Sequence, residues 1–234
     1  MKRLIVFGCS NTYGEGLLDC GDASNNWAGD EPSKLGWPNQ LATMMGISTV
    51  INLGIGGASN KHISNSLLNK AGDDFFNPDT DVVVFLWSCF NRHCIFQEDG
   101  AVERYLPSDI KRVELSKMST AEKFAMMAKT YEKVKKWYSK YHTSVDQRLE
   151  SYARISHVQH YLNSKGITNY NFTCETYEYT RIPTWFDSST LKSIDVELLG
   201  QQYGKANDKV HPGVIANMHT AKIMHNHITN GDFQ

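Results

Sequence analysis

A serine near the start of the chain and a histidine near its end are the residues best suited to chemistry. Ser10 directly follows a short apolar run and two small residues, and His211 stands three residues after Asp208 in a polar loop. A serine hydroxyl becomes a nucleophile when an imidazole takes its proton, and a carboxylate can hold that imidazole in the required tautomer. The three residues therefore predict acyl transfer, with Ser10 as nucleophile, His211 as base and Asp208 as its orienting partner.

Acyl transfer also needs hydrogen-bond donors that are already in place for the negative oxygen formed on the attacked carbonyl. The sequence offers three: the backbone N–H groups of Ser10 and Gly57, and the side-chain amide of Asn91. Simpler readings exist for Gly57 and for Asp208. Gly57 belongs to a glycine pair that could form an ordinary turn, and Asp208 could cap the last helix.

Short apolar runs are the elements that must position these residues. The runs 3–7, 49–53 and 81–87 each end in a cluster of small or polar residues, and 167–172 is a fourth candidate strand. Continuous apolar runs are typical of strands covered on both faces, and the intervening lengths suit crossover helices. The pattern predicts a doubly wound parallel sheet, whose carboxyl edge would gather the candidate residues.

Helical patterns fill most of the remaining chain. Apolar periodicity or capping residues predict helices that begin near Trp37 and over about 60–70, 119–141, 144–163 and 214–228. Ser119 and Glu122 have the form of a capping box, and Gly166 follows the 144–163 helix as a C-terminal glycine would. The segments 19–39, 95–116 and 181–207 carry no regular pattern.

Taken together, these segments resemble the SGNH (GDSL-type) hydrolase family. The resemblance rests on residues 8–12, on the glycine-rich residues 52–57 and on Asp-Lys-Val-His-Pro at 208–212. It implies a flavodoxin-like, three-layer α/β/α sandwich with a central parallel sheet, a Ser-His-Asp triad and ester hydrolysis. The first segment departs from the family in having Cys9 where an aspartate is usual.

The third segment of the family pattern is less regular in this chain. It reads from Ser88 to Arg92 where Gly-x-Asn-Asp is usual, so the oxyanion donor falls on Asn91, or on Ser88 or Cys89 if the alignment slips. Arg92 and His93 lie beside this segment. They could hold an anionic group of the substrate or form surface salt bridges.

Composition excludes several classes of protein. The 234 residues are 41% hydrophobic and carry a formal net charge of -1, which gives no electrostatic footprint for nucleic acid or an anionic membrane. Five scattered cysteines do not suggest a disulfide framework, and no apolar run has the length of a membrane span or a signal peptide. We expect one SGNH-hydrolase-like domain over 1–234, with a helical section at about 117–165, in the cytoplasm.

The sequence therefore favours a serine esterase that needs no cofactor and acts on a small acyl ester. An O-acetylated carbohydrate is one such substrate, because Trp27, Trp37 and Trp185 could stack on a sugar ring. The alternative is a non-catalytic binding or structural module that keeps the same fold. Nucleotide binding is disfavoured because no phosphate-binding glycine motif is present. A zinc site is disfavoured because no cysteine or carboxylate pattern completes the C-terminal histidines. No oligomeric state is indicated.

Overall fold

Five parallel strands form the central sheet of the structure. The structure is a computed structural model that describes residues 2–20, 29–70, 74–107, 121–174 and 182–230. For residues 121–127 it describes only the backbone. The order across the sheet is β2-β1-β3-β6-β7. Its strands are β1 (Arg3–Gly8), β2 (Thr49–Gly54), β3 (Asp81–Trp87), β6 (Thr168–Thr173) and β7 (Leu191–Ser193). Two further strands, β4 (His93–Phe96) and β5 (Val102–Tyr105), form a separate antiparallel pair.

Helices cover both faces of this sheet. They are α1 (Ser10–Tyr13), α2 (Trp37–Met44), α3 (Asn60–Lys70), α4 (Ala121–Lys140), α5 (Ser144–Ser164), α6 (Val196–Tyr203) and α7 (Val214–Asn230). Alternate residues of β1 enter opposite cores: Ile5 and Phe7 pack with α3 and α5, whereas Leu4 and Val6 pack with α2, α6 and α7. The expected three-layer α/β/α arrangement with a central parallel sheet is confirmed.

The longer predicted elements agree with the structure. The four predicted strands correspond to β1, β2, β3 and β6, and Gly166 ends α5 with a positive φ of 69°. The short strands β4, β5 and β7 lie in or beside the segments that carried no regular pattern. The proposed capping residue Ser119 lies outside the described residues.

The register of the sheet brings the ends of the strands together. Gly8 of β1 is opposite Gly54 of β2 and Leu86 of β3, and Trp87 is opposite Thr173 of β6. The segments that follow these strands therefore leave the sheet at one edge. Within the described helices, none combines the length and apolarity needed to cross a membrane.

Candidate active site

Ser10 is the first residue of α1, immediately after the turn that ends β1. Gly8 permits this turn, because a Cβ there would collide with the Thr12 side chain and lie 2.8 Å from the Leu86 carbonyl oxygen. The Ser10 residue is only 3% exposed. Its position is thus set by close backbone packing at the carboxyl edge of the sheet.

The predicted glycine-rich segment is tied directly to this turn. The Asn52 side chain donates from Nδ2 to the Thr12 carbonyl oxygen at 2.7 Å, and its Oδ1 accepts from the Gly54 N–H at 2.9 Å. The Ile55 N–H donates to the Gly8 carbonyl oxygen at 2.9 Å. The end of β2 and the start of α1 are therefore held as one unit.

The segment after β3 is fixed by a residue that the sequence reasoning missed. Asn60, buried at the start of α3, accepts at Oδ1 from the Ser88 N–H at 2.7 Å. It also donates from Nδ2 to the Ser88 carbonyl oxygen at 3.1 Å and to Ser151 Oγ at 3.1 Å. An asparagine that opens a helix has no distinctive sequence signal, because helix-opening asparagines usually act only as caps.

His211 and Asp208 form a hydrogen-bonded pair. His211 Nδ1 lies 2.5 Å from Asp208 Oδ2, while Asp208 Oδ1 accepts from the backbone N–H groups of Val210 and His211 at 2.9 and 3.0 Å. Burial alone would raise the pKa of Asp208, but these hydrogen bonds outweigh it and hold the pKa below its ordinary value. Asp208 is therefore an ionised carboxylate at neutral pH, suited to orienting an imidazole.

The two ends of the chain meet around this pair. The Asn207 N–H donates to the Gly16 carbonyl oxygen at 3.0 Å. Gly16 has a φ of +81°, and a Cβ there would lie 2.5 to 2.8 Å from the Asp208 carboxyl atoms. The segment after α1 and the loop before α7 are consequently in direct contact.

A cavity of about 480 Å³ lies at this junction, and both Ser10 and His211 line it. Among the described residues no hydrogen bond joins the Ser10 hydroxyl to the His211 ring. Instead, His211 Nε2 lies 3.7 Å from Glu15 Oε2. The serine and the imidazole thus share one cavity, but a second carboxylate stands beside the ring nitrogen that would receive the serine proton.

Glu15 is the second residue that the sequence reasoning missed. Its side chain is 18% exposed, and its carboxylate lies against Gly56 as well as beside His211. The flanking glycines at 14 and 16 are the only sequence signal for a special position. The Glu15 carboxylate stands at the ring nitrogen opposite the one that contacts Asp208.

The other two predicted oxyanion donors lie away from this cavity. In the described part of the chain, neither Gly57 nor Asn91 contributes to its lining. Asn91 is exposed and lines a different cavity, and its carbonyl oxygen accepts from the Tyr138 hydroxyl. Gly57 has a φ of +67° and faces the Arg104 side chain, whose Nη1 donates to the Gly56 carbonyl oxygen at 2.6 Å.

Other residues of the third segment reach the cavity instead. Cys89, one of the alternatives to Asn91, lines it together with Arg92. Ser88, the other alternative, is fully buried. Between Cys89 and Asn91 the Phe90 ring turns into the core and packs against another aromatic ring, which explains why neighbouring side chains face different cavities.

The tryptophans do not surround this cavity as expected. Trp37 is 1% exposed and belongs to the core. Trp185 is 55% exposed but lines a separate cavity of about 390 Å³. Trp27 lies outside the described residues. The described tryptophans therefore give no support for sugar stacking beside Ser10.

No metal site accompanies these residues in the ranges that the structure describes. There, no group of three or more His, Cys, Asp or Glu side chains is placed to hold a metal ion. His219 of α7 stacks on the Tyr203 ring at 3.8 Å between centroids. This histidine has a packing role that needs no metal.

Comparison with known proteins gives matches in structure only. No protein-family model and no curated protein matches the sequence. Among solved structures, a lipolytic protein of the G-D-S-L family from Desulfitobacterium hafniense has a TM-score of 0.35 and 16% identity, covering 97% of this chain and 99% of that one. Phospholipase A1 from Streptomyces albidoflavus has a TM-score of 0.46 and 12% identity, covering 99% of both chains.

A third similar structure is a family two carbohydrate esterase from Clostridium thermocellum. Its TM-score is 0.42 at 14% identity, over 98% of this chain and 64% of that one. Because all three TM-scores are below 0.5, the fold assignment rests on the strand order and layers of the structure itself.

Proposed function

We propose that this chain is a serine esterase of the SGNH (GDSL-type) hydrolase family and that it hydrolyses a small acyl ester. Ser10 attacks the ester carbonyl, and His211 takes the hydroxyl proton and then gives it to the departing alkoxide. Asp208 holds the imidazole in the tautomer that leaves Nε2 free to accept that proton. Water releases the acyl group in the second half of the reaction by the same exchange of protons.

One observation carries this proposal: Ser10 and His211 line a single cavity although about 200 residues separate them along the chain, and Asp208 is hydrogen-bonded to the His211 ring. A capping role for Asp208 would not require an imidazole on its second oxygen. A loop histidine without function would not require a buried serine on the same cavity wall. The cavity lies at the carboxyl edge of the sheet, where the crevice of a doubly wound fold is expected, and this position supports the proposal.

Ser10 also supports the oxyanion part of the mechanism. The first N–H groups of a helix have no acceptor within that helix, and Ser10 opens α1. Its N–H is therefore suited to a carbonyl oxygen under attack. Gly57 and Asn91 do not line the cavity. Their roles as the second and third donors to the oxyanion therefore stay predictions.

The cavity suits a small substrate. A volume of about 480 Å³ is within the usual range for small-molecule sites, and the lining includes both charged and apolar residues. We infer a short acyl group, of which the acetyl group of an O-acetylated carbohydrate is one example.

Hydrolysis of simple esters tests the proposal. We expect the protein to hydrolyse phenyl acetate, phenyl butyrate or peracetylated xylose, and Ser10→Ala to lose activity on the order of a thousandfold or more. Asp208→Asn should lose a comparable factor with the fold retained. Equal hydrolysis by the wild type and Ser10→Ala would contradict the assignment of the nucleophile.

A non-catalytic binding module is the second candidate, and a specific observation favours it. His211 Nε2 faces Glu15, and no hydrogen bond joins it to Ser10 among the described residues. If the chain is a binding module, we expect the well-folded protein to bind acetylated xylose in calorimetry but to hydrolyse none of the esters. Ester turnover that depends on Ser10 would exclude this candidate.

A further inference from the structure

Arg92 places a positive charge in the wall of the cavity that Ser10 and His211 share. Its Nη1 is buried and has no hydrogen-bond partner among the described residues. Arginine stays protonated in proteins, so this charge cannot be removed by deprotonation. A buried charge without an opposite charge beside it costs free energy. The identity of the group that balances Arg92 therefore bears on the function of this cavity.

In the described ranges, no protein carboxylate forms an ion pair with Arg92. The ion pairs found there join other residues, and none includes Arg92. The surface salt bridge that the sequence allowed for Arg92 is therefore not formed with any described Asp or Glu. The cavity does contain two acidic residues, but the Asp195 carboxylate caps α6 by accepting from the Leu198 N–H at 2.8 Å, and Glu197 is exposed.

The immediate neighbours of Arg92 are thiols. Cys89 and Cys174 line the same cavity with their sulfur atoms 3.7 Å apart, and the Cys9 thiol interacts electrostatically with the guanidinium. Neutral thiols are weak acceptors and do not balance a full positive charge. A hydrogen bond from the Cys174 thiol and the charge of Arg92 hold the pKa of Cys9 below its ordinary value, against the effect of burial. The Cys9 sulfur is thus the internal competitor for Arg92.

We propose that Arg92 forms an anion-binding subsite beside Ser10 that selects ester substrates carrying a carboxylate or phosphate group. The inference rests on the proposed esterase function and adds the substrate class. A planar guanidinium binds such oxygen pairs with two parallel hydrogen bonds. Lys205, an exposed residue on the same cavity, adds a second positive charge at the wall.

Matched ester pairs test the selection in the wild-type protein. Para-acetoxybenzoate and para-acetoxybenzamide differ in a charge on the alcohol side, and phenyl hydrogen glutarate and phenyl glutaramate differ in a charge on the acyl side. We expect kcat/KM to be about tenfold to a hundredfold higher for the charged member of at least one pair, the range typical of a charge-assisted hydrogen bond. Equal values within both pairs would overturn the proposal.

Binding to a protein that cannot turn over separates the subsite from the esterase assignment. Glutarate and inorganic phosphate are titrated by calorimetry into Ser10→Ala. We expect one of them to bind, and adding Arg92→Gln to weaken binding about tenfold to a hundredfold. Arg92→Lys should fall between the two, since it keeps the charge and loses the planar fork. The control Arg154→Gln removes an arginine of α5 that pairs with Glu150 outside the cavity.

The results distinguish the two proposals. Anion binding without hydrolysis of any ester would leave the subsite standing and would remove the esterase. Failure of both anions to bind Ser10→Ala would overturn the subsite even if Arg92→Gln did not fold. An ultraviolet thiolate absorbance at neutral pH that disappears in Cys9→Ser, together with no anion binding, would identify Cys9 as the partner of Arg92 instead.

Discussion

Glu15 changes the chemistry expected of His211 at the level of single residues. Two carboxylates flank the imidazole, Asp208 at Nδ1 and Glu15 at Nε2, at 2.5 and 3.7 Å. A catalytic histidine must become positively charged when it takes the serine proton. A second carboxylate favours that charged state, but it also occupies space near the nitrogen that Ser10 would use.

We predict that Glu15→Gln lowers kcat on the order of tenfold and changes KM little. The reason is that an uncharged amide keeps the size of the side chain but loses the attraction to the imidazolium, which is on the order of 1 kcal/mol or more in a partly solvated site. Steady-state kinetics on phenyl acetate measures both constants. The control is Glu31→Gln, an exposed residue outside the cavity. An unchanged or raised kcat would show that Glu15 obstructs the imidazole rather than supporting it.

Helix α7 holds the loop that carries the Asp208–His211 pair. Its buried Asn217 donates from Nδ2 to the carbonyl oxygens of Pro212 and Gly213 at 3.0 and 3.1 Å, and accepts at Oδ1 from the Trp37 N–H at 3.0 Å. One side chain therefore connects α7, the start of α2 and the residues that directly follow His211. This connection adds to the hydrogen bonds that Asp208 makes within the loop.

We predict that Asn217→Leu lowers the free energy of unfolding by about 1–3 kcal/mol, because it leaves buried backbone groups without partners. It should also lower kcat several-fold by loosening the position of His211. Denaturant unfolding and ester hydrolysis measure the two effects. Asn226→Leu, an exposed asparagine of the same helix, is the matched control. Full activity in Asn217→Leu would mean that the loop keeps its geometry without this anchor.

The elements also show what a sequence can reveal. Short apolar runs that end in small or polar residues identified β1, β2 and β3, and the pattern is clearest in β1 and β3, which are covered on both faces. The strand β7 has three residues, and β4 and β5 have four each, which is too short for any periodicity to emerge.

The candidate site was predictable to a similar extent. Ser10, Asp208 and His211 could be proposed because their chemistry is specific to their residue types. Asn60 and Glu15 could not, because their roles arise from tertiary contacts. The expected place of Asn91 depended on which way the chain turns after β3, and the burial of Phe90 decides that turn.

At the scale of the whole molecule, an ion pair joins the first strand to the third. Arg3 donates from Nε and Nη2 to the two carboxylate oxygens of Asp81 at 2.7 and 2.6 Å, and Asp81 is 2% exposed. Burial alone would raise the pKa of Asp81, but the hydrogen bonds from Arg3 and from the Asn77 N–H outweigh it, and the pKa lies below its ordinary value.

A carboxylate whose pKa is lowered by folding stabilises the protein above its unfolded pKa, and this stabilisation is lost as the pH falls through the folded pKa. We therefore predict that Asp81→Asn lowers the free energy of unfolding by about 2–4 kcal/mol at pH 7. The difference from the wild type should shrink below about pH 4. Denaturant unfolding across this range measures it, with the exposed Asp79→Asn as control. A difference that stays constant down to pH 2 would contradict the assigned role of the ion pair.

The central claim is that an imidazole from the end of the chain activates a serine from its beginning. Labelling with a fluorophosphonate, followed by intact-mass and peptide analysis, tests this claim most directly. We predict one label per chain, located on Ser10 and lost in Ser10→Ala and His211→Ala. A well-folded protein that takes up no label, or a label on another residue, would contradict the claim.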